Sequence, residues 1–213
     1  MIDLKKKKII KYSKLLVKNG LSPLRSGNIS IRHKIKNIDG FFISPSGKKN
    51  DQIKINDIVF VSMSGKIYEN KKPSSEWGFH LDLYKHTNCN AVVHAHSKFA
   101  VISSCLYKQI PAFHYMVALT NSKSIKVARY ALFGSKSLSK NIIKAIGTSK
   151  TCLISNHGQI SIGNSIENAF ELAEEVELLC DYYYHCRLQK IPKNISNKEM
   201  DKVLNKILNY KSD

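Results

Sequence analysis

At 213 residues and 43% apolar content, the chain is long enough for one domain with a substantial core. Its formal net charge is +18, yet only four of its 34 basic residues are arginine (Arg25, Arg32, Arg129 and Arg187). That scarcity argues against a surface built to grip phosphates and read bases, and points instead to lysine-rich codon drift with mild steering of an anionic substrate.

The start of the chain, Lys5 to Lys8 and then Ile9-Ile10-Lys11-Tyr12, has no continuous apolar run, so no signal peptide is expected. Leu4, Ile9, Tyr12, Leu15 and Leu16 predict a helix over 3–19, stopped by Asn19-Gly20. Short strands are expected near 28–34, 40–44, 57–62 and 66–68, separated by Asp39-Gly40, Ser46-Gly47 and Ser64-Gly65. A helix over 75–87 follows Pro73-Ser74-Ser75, then a buried strand over 91–96 and a helix over 97–106. A strand near 125–129 precedes a helix over 136–146, and 151–155 with 159–162 read as a hairpin. The stretch 165–189 predicts a long helix burying Ile166, Phe170, Ala173, Val176 and Cys180, and a last helix covers 197–209. Strands and helices interleave with no linker or repeat, so one α/β domain over 1–213 is expected. The five cysteines form no CxxC and are odd in number, which suits reduced thiols of a cytoplasmic protein, and no stretch approaches the roughly 20 apolar residues of a membrane span.

The chemistry concentrates in Ala91-Val92-Val93-His94-Ala95-His96. Side chains two apart on a strand share a face, so His94 and His96 can chelate one cation. Glu76 and His157 in Asn156-His157-Gly158 can complete the set. Each has an ordinary explanation, since glutamate favours a helix's first turn and histidine tolerates turns, but together they need a coincidence. Three neutral nitrogens and one carboxylate suit a divalent transition ion, most simply Zn2+. The turns Ser26-Gly27-Asn28-Ile29-Ser30, Ser44-Pro45-Ser46-Gly47 and Ser74-Ser75 offer hydroxyls, an amide and N–H groups to an anion such as phosphate. None is a Walker loop or a Rossmann fingerprint, so a nucleotide is not expected.

These motifs, with Pro73-Ser74-Ser75-Glu76-Trp77, Ile110-Pro111-Ala112-Phe113-His114-Tyr115-Met116 and Tyr130-Ala131-Leu132-Phe133-Gly134, make the chain resemble the class II aldolase/adducin family over nearly its whole length. The glycine–asparagine and HxH elements belong to the wider superfamily; Pro-Ser-Ser-Glu-Trp and Ile-Pro-Ala-Phe-His-Tyr-Met are more particular to its aldolase branch. The resemblance implies a central, mostly antiparallel sheet flanked by helices. It implies one Zn2+ per subunit on His94, His96 and His157, with Glu76 ligating the resting metal and then acting as general base. It implies a phosphate cradle of Asn28, Ser46, Gly47, Ser74 and Ser75, and an aldehyde pocket lined by Phe133. Tyr115, reaching in from a neighbouring subunit, is the implied proton donor to the aldehyde oxygen, and Tyr210 is the implied C-terminal catalytic tyrosine near the incoming aldehyde. The implied reaction is reversible cleavage of a ketose 1-phosphate, L-fuculose 1-phosphate or a related deoxy-ketose 1-phosphate, through an enediolate, in a homotetramer with active sites at subunit interfaces. The expected partner is thus a small sugar phosphate, with no nucleic acid and no membrane.

Two features depart from the pattern: the chain ends three residues beyond Tyr210, and Lys211-Ser212-Asp213 lacks the arginine expected there. A sugar-phosphate 4-epimerase or a methylthioribulose-1-phosphate dehydratase would use the same metal site, and an adducin-like structural module or a basic nucleic-acid binder are the non-enzymatic alternatives. Glu76 and the Phe113-His114-Tyr115-Met116 stretch favour the aldolase.

Overall fold

The computed structural model describes residues 2–210, except the side chain of Tyr210. The expected role of Tyr210 and the tail Lys211-Ser212-Asp213 lie outside the described residues. The elements are α1 (Ile2–Lys18), β1 (Asn28–Ile35), β2 (Ile38–Ile43), β3 (Val59–Ser62), α2 (Trp77–His86), β4 (Ala91–Ala95), α3 (Lys98–Leu106), β5 (Gln109–Ile110), β6 (Ile125–Ala128), α4 (Lys136–Ile146), β7 (Thr151–Ile154), β8 (Gly158–Gly163), α5 (Ile166–Gln189) and α6 (Asn197–Tyr210). The strands form one eight-stranded sheet in the order β3-β2-β1-β4-β8-β7-β6-β5. Every pairing is antiparallel except β6 with β7.

Period-two alternation divides the core between the two faces of the sheet. Phe41 and Val92 point into a cluster with Phe79 and Leu83 of α2 and Leu138 and Ile142 of α4. Their chain neighbours Phe42 and Val93 point the other way, onto Ile9 and Leu16 of α1 and Phe170 of α5. Further along α5, Val176 and Cys180 pack with Leu153 of β7, Val117 and Met200 of α6. All five apolar positions expected to face inward on α5 are buried. Among the described residues no helix is long and apolar enough to cross a membrane.

Three sequence expectations need correction. Residues 66–68 are not a strand: Ile67 makes a lone bridge to Val61. The carboxylate of Glu69 accepts the Phe60 N–H at 2.8 Å, taking the place of a strand carbonyl on the open edge of β3. Leu4 is 59% exposed rather than core. Five residues at about 100° each carry it some 140° around the helix from Ile9. The helix expected from 75 begins at Trp77, with Glu76 as its N-cap.

The N-terminus of α3 receives no side-chain hydrogen bond from its own cap residue Ser97. Instead Glu177, on α5, accepts the Phe99 and Ala100 N–H groups at 2.7 and 2.9 Å. A carboxylate there satisfies two orphan donors and meets the positive end of the helix. Glu177→Ala should therefore cost about 1–2 kcal/mol of folding stability, read as a lower urea midpoint at unchanged slope.

Candidate metal centre and substrate cleft

β4 lies in the sheet between β1 and β8, so His94 is paired with Asn28 on one side and Ile160 on the other. This burial leaves His94 0% exposed. His96 stands just past the strand's end, on the same face. His157 comes from the tight β7–β8 turn, which Asn156 closes with a φ of 57°. Glu76 caps α2, held by its own N–H to the Ser74 hydroxyl at 3.3 Å. The sheet thus gathers four side chains from three chain segments, and their ligand atoms all lie within 4.8 Å of one another.

The donor chemistry fits a divalent cation. The Gln159 carbonyl, 2.8 Å from His94 Nδ1, can only accept, so Nδ1 carries hydrogen and Nε2 faces the cluster. That is the arrangement in which a backbone carbonyl orients a metal-binding imidazole. The two ring nitrogens His94 Nε2 and His96 Nε2 are 2.9 Å apart. His94 Nε2 is 3.2 Å from Glu76 Oε2, and His157 Nε2 is 3.3 Å from Oε1. Oε1 is buried and makes no hydrogen bond among the described residues. One cation can balance all four side chains at once.

Burial pushes the His96 imidazole down to about 3, helped by the fields of His94 and His157. Burial likewise lowers His157 to about 4. Both rings are therefore neutral ligands at physiological pH. Burial opposes the charge on Glu76, but His94, His157 and the Asn28 amide together outweigh it and hold the carboxyl well below its ordinary range.

The cluster opens onto a cleft of about 370 Å³, a volume suited to a small metabolite. Two loops form its wall: Ser44 accepts the Ser74 N–H at 3.0 Å, and Ser46 N–H reaches Lys72 at 3.1 Å. Gly27 sits at their foot with a φ of 75°, where an added Cβ would lie 2.7 Å from the His94 carbonyl. Asn28, Ser46, Gly47, Ser74, Ser75, Glu76, Phe133, His96 and His157 all line the cleft. Tyr115 does not line it; this residue is 52% exposed at the start of a short 3-10 helix, Tyr115–Thr120.

Sequence reasoning missed two residues. Among the described residues, Arg25 is the one permanently cationic side chain lining the cleft, its Nε donating to the Gly47 carbonyl at 3.0 Å. The signal was its place directly before Ser26-Gly27-Asn28. His80 is 0% exposed, one turn along α2 from Glu76, and joins Asn28 at 2.5 Å. Nothing in its spacing marked it apart from an ordinary core residue.

A family model described as Class II Aldolase and Adducin N-terminal domain matches residues 7–184. The 5-methylthioribulose-1-phosphate/5-deoxyribulose-1-phosphate aldolase of Rhodospirillum rubrum is 40% identical over 192 residues, 90% of this chain and 85% of that protein. The L-fuculose phosphate aldolase of Haemophilus influenzae is 41% identical over 207 residues, 95% of this chain and 93% of that one. A solved structure of L-fuculose 1-phosphate aldolase is similar with a TM-score of 0.90 at 34% identity, covering 95% of both chains.

The depressed histidines set a pH dependence for the metal-free protein. An unfolded histidine titrates near 6.5. Between that value and about 4 for His157 or about 3 for His96, the unfolded chain binds more protons than the folded one. Folding stability therefore rises with pH through this window and is lost as pH falls. Urea midpoints of the chelator-treated protein should drop from about pH 7 to about pH 5, and His157→Gln should flatten the slope.

Proposed function

The chain belongs to the class II aldolase and adducin family, and from that premise we propose that it is a zinc-dependent aldolase cleaving a ketose 1-phosphate reversibly to dihydroxyacetone phosphate and a small aldehyde. The observation that carries this reading is a buried carboxylate, one of whose oxygens makes no hydrogen bond among the described residues, set among three imidazoles at the floor of a cleft walled by the serine- and glycine-bearing loops at Ser46–Gly47 and Ser74–Ser75. The sugars in the two relatives' names, 5-methylthioribulose, 5-deoxyribulose and L-fuculose, all end in a group other than a hydroxymethyl. Tyr130, Ala131 and Phe133 supply an apolar part of the lining that suits such an end. Deoxy or methylthio ketose 1-phosphates are accordingly the proposed substrate class.

His94, His96 and His157 would hold the Zn2+, with Glu76 completing the resting set. When bound, the metal supplies Lewis-acid stabilisation for the negative charge left beside the ketone as the carbon–carbon bond breaks. Arg25, Ser46, Gly47, Ser74, Ser75 and the loop at Asn28 grip the phosphate, far from the breaking bond, and hold the substrate in register. Glu76 moves the proton at the hydroxymethyl carbon of dihydroxyacetone phosphate. Its lowered pKa keeps the carboxylate ionised at physiological pH, the form that a base must have. Tyr115 of a neighbouring subunit, in a homotetramer of cyclic symmetry, exchanges a proton with the aldehyde oxygen. The exposure of Tyr115 outside its own cleft supports a role across an interface.

The reading is tested by product formation. Purified protein should carry one zinc per chain and release dihydroxyacetone phosphate from ketose 1-phosphates lacking a terminal hydroxyl faster than from hydroxylated counterparts. Glu76→Gln should fold, yet exchange the hydroxymethyl proton about 10²–10⁴-fold more slowly. Activity that survives chelation, or wild-type exchange by Glu76→Gln, would refute it. Subunit mixing tests the interface: inactive Tyr115→Phe and His96→Ala chains should recover part of the activity once exchanged. No recovery after verified exchange would place Tyr115 outside the reaction or within its own chain.

A further inference from the structure

Behind Glu76 a buried line of polar side chains runs from Asn28, at the cleft, to His80, Ser30 and Tyr84, which do not line it. Asn28 Nδ2 donates to Glu76 Oε2 at 2.9 Å, and Asn28 Oδ1 is 2.5 Å from His80 Nε2. His80 Nδ1 is 2.7 Å from the Ser30 hydroxyl, which is itself 2.7 Å from the Tyr84 hydroxyl. Asn28, Ser30, His80 and Tyr84 are all 4% exposed or less. Two periodicities meet here: Asn28 and Ser30 share one face of β1, and His80 and Tyr84 share one face of α2.

The chemistry fixes the direction of every bond. An ionised carboxylate only accepts, so the amide nitrogen of Asn28 must face Glu76 and its oxygen must face His80. That oxygen also only accepts, so His80 carries its hydrogen on Nε2. Burial lowers His80 to about 3, keeping it neutral, so Nδ1 is a bare acceptor. Ser30 spends its single hydrogen on Nδ1, and Tyr84 must donate to Ser30. Burial raises the Tyr84 phenol well above its ordinary value, so that donor is permanent. Every donor in the line therefore points toward the carboxylate.

We propose that His80, oriented by Ser30 and Tyr84, is a positioning residue that locks the Asn28 amide so that Glu76 Oε2 is held and Oε1 alone is left to work. The proposal rests on the reading of Glu76 as the group that moves the proton. An amide free to turn would present oxygen to oxygen, repel Oε2 and let the carboxylate leave its rotamer. Displacement of a reacting group by about 1 Å costs on the order of 10²-fold in rate.

Two measurements test it. Histidine 15N shifts should show His80 protonated at Nε2 and bare at Nδ1, unchanged over about pH 5 to 8; hydrogen on Nδ1 would overturn the proposal. In His80→Gln the new amide can reach where Nε2 stood, whereas in His80→Asn it reaches only the Nδ1 position. His80→Gln should keep kcat within about 5-fold, while His80→Asn should lose about 10- to 100-fold in kcat and in hydroxymethyl proton exchange. KM and zinc content should stay near wild type in both. Equal losses in the two variants, or a loss confined to KM, would overturn the proposal. If His80→Asn does not fold, Ser30→Ala carries the same test, with a mixed His80 tautomer and a reduced kcat as the expected result. A wild-type protein without proton exchange would remove the role of Glu76, and the 15N measurement would still decide the direction of the donors.

Discussion

A carboxylate buried to 6% exposure loses most of its hydration, and in an apolar interior that loss costs several kcal/mol per ion unless positive or donor groups replace the water. Glu76 imposes this requirement on everything around it. Oε2 is met by Asn28 and His94, while Oε1 faces His157 without a hydrogen bond. The compensation on one side is complete and on the other side is left to a cation. A site built this way is stable enough to fold and unsatisfied enough to bind.

The sheet is the device that meets this requirement. β4 buries His94 because strands flank it on both sides, in a register that sets Asn28 and the Gln159 carbonyl near the same imidazole. The β7–β8 turn then returns His157 to the strand's end, and α2 starts where the Ser44–Gly47 and Lys72–Ser75 loops are tied together. The four candidate metal-binding side chains therefore stand on or beside regular elements. Much of the cleft wall stands on loops, held to each other by the Ser46–Lys72 and Ser74–Ser44 backbone bonds.

The sequence disclosed more of this site than its ordinary composition suggested. Spacing placed His94 and His96 on one face of a buried strand, and the structure brings Glu76 and His157 to them. Helices with clear periodicity or caps, such as 136–146 under its Ser135 cap, fall where patterning put them. The failures have local causes. Residues 66–68 alternate like a strand, but a glutamate side chain satisfies the edge that they would have paired with. Leu4 is apolar yet lies off the buried stripe.

What the sequence by itself determined is the set of parts: an α/β chain, a pair of histidines at a strand end, an acid at a helix start and serine–glycine turns. These follow from periods of 2 and 3.6 and from turn chemistry, which act within a few residues. Only the tertiary structure decided what those parts do to one another. That Asn28 hands its amide to Glu76, that His80 stands behind it, and that Arg25 reaches into the cleft are contacts across 48, 52 and 22 residues of chain. No local rule encodes them, because they depend on which strands become neighbours and in what register.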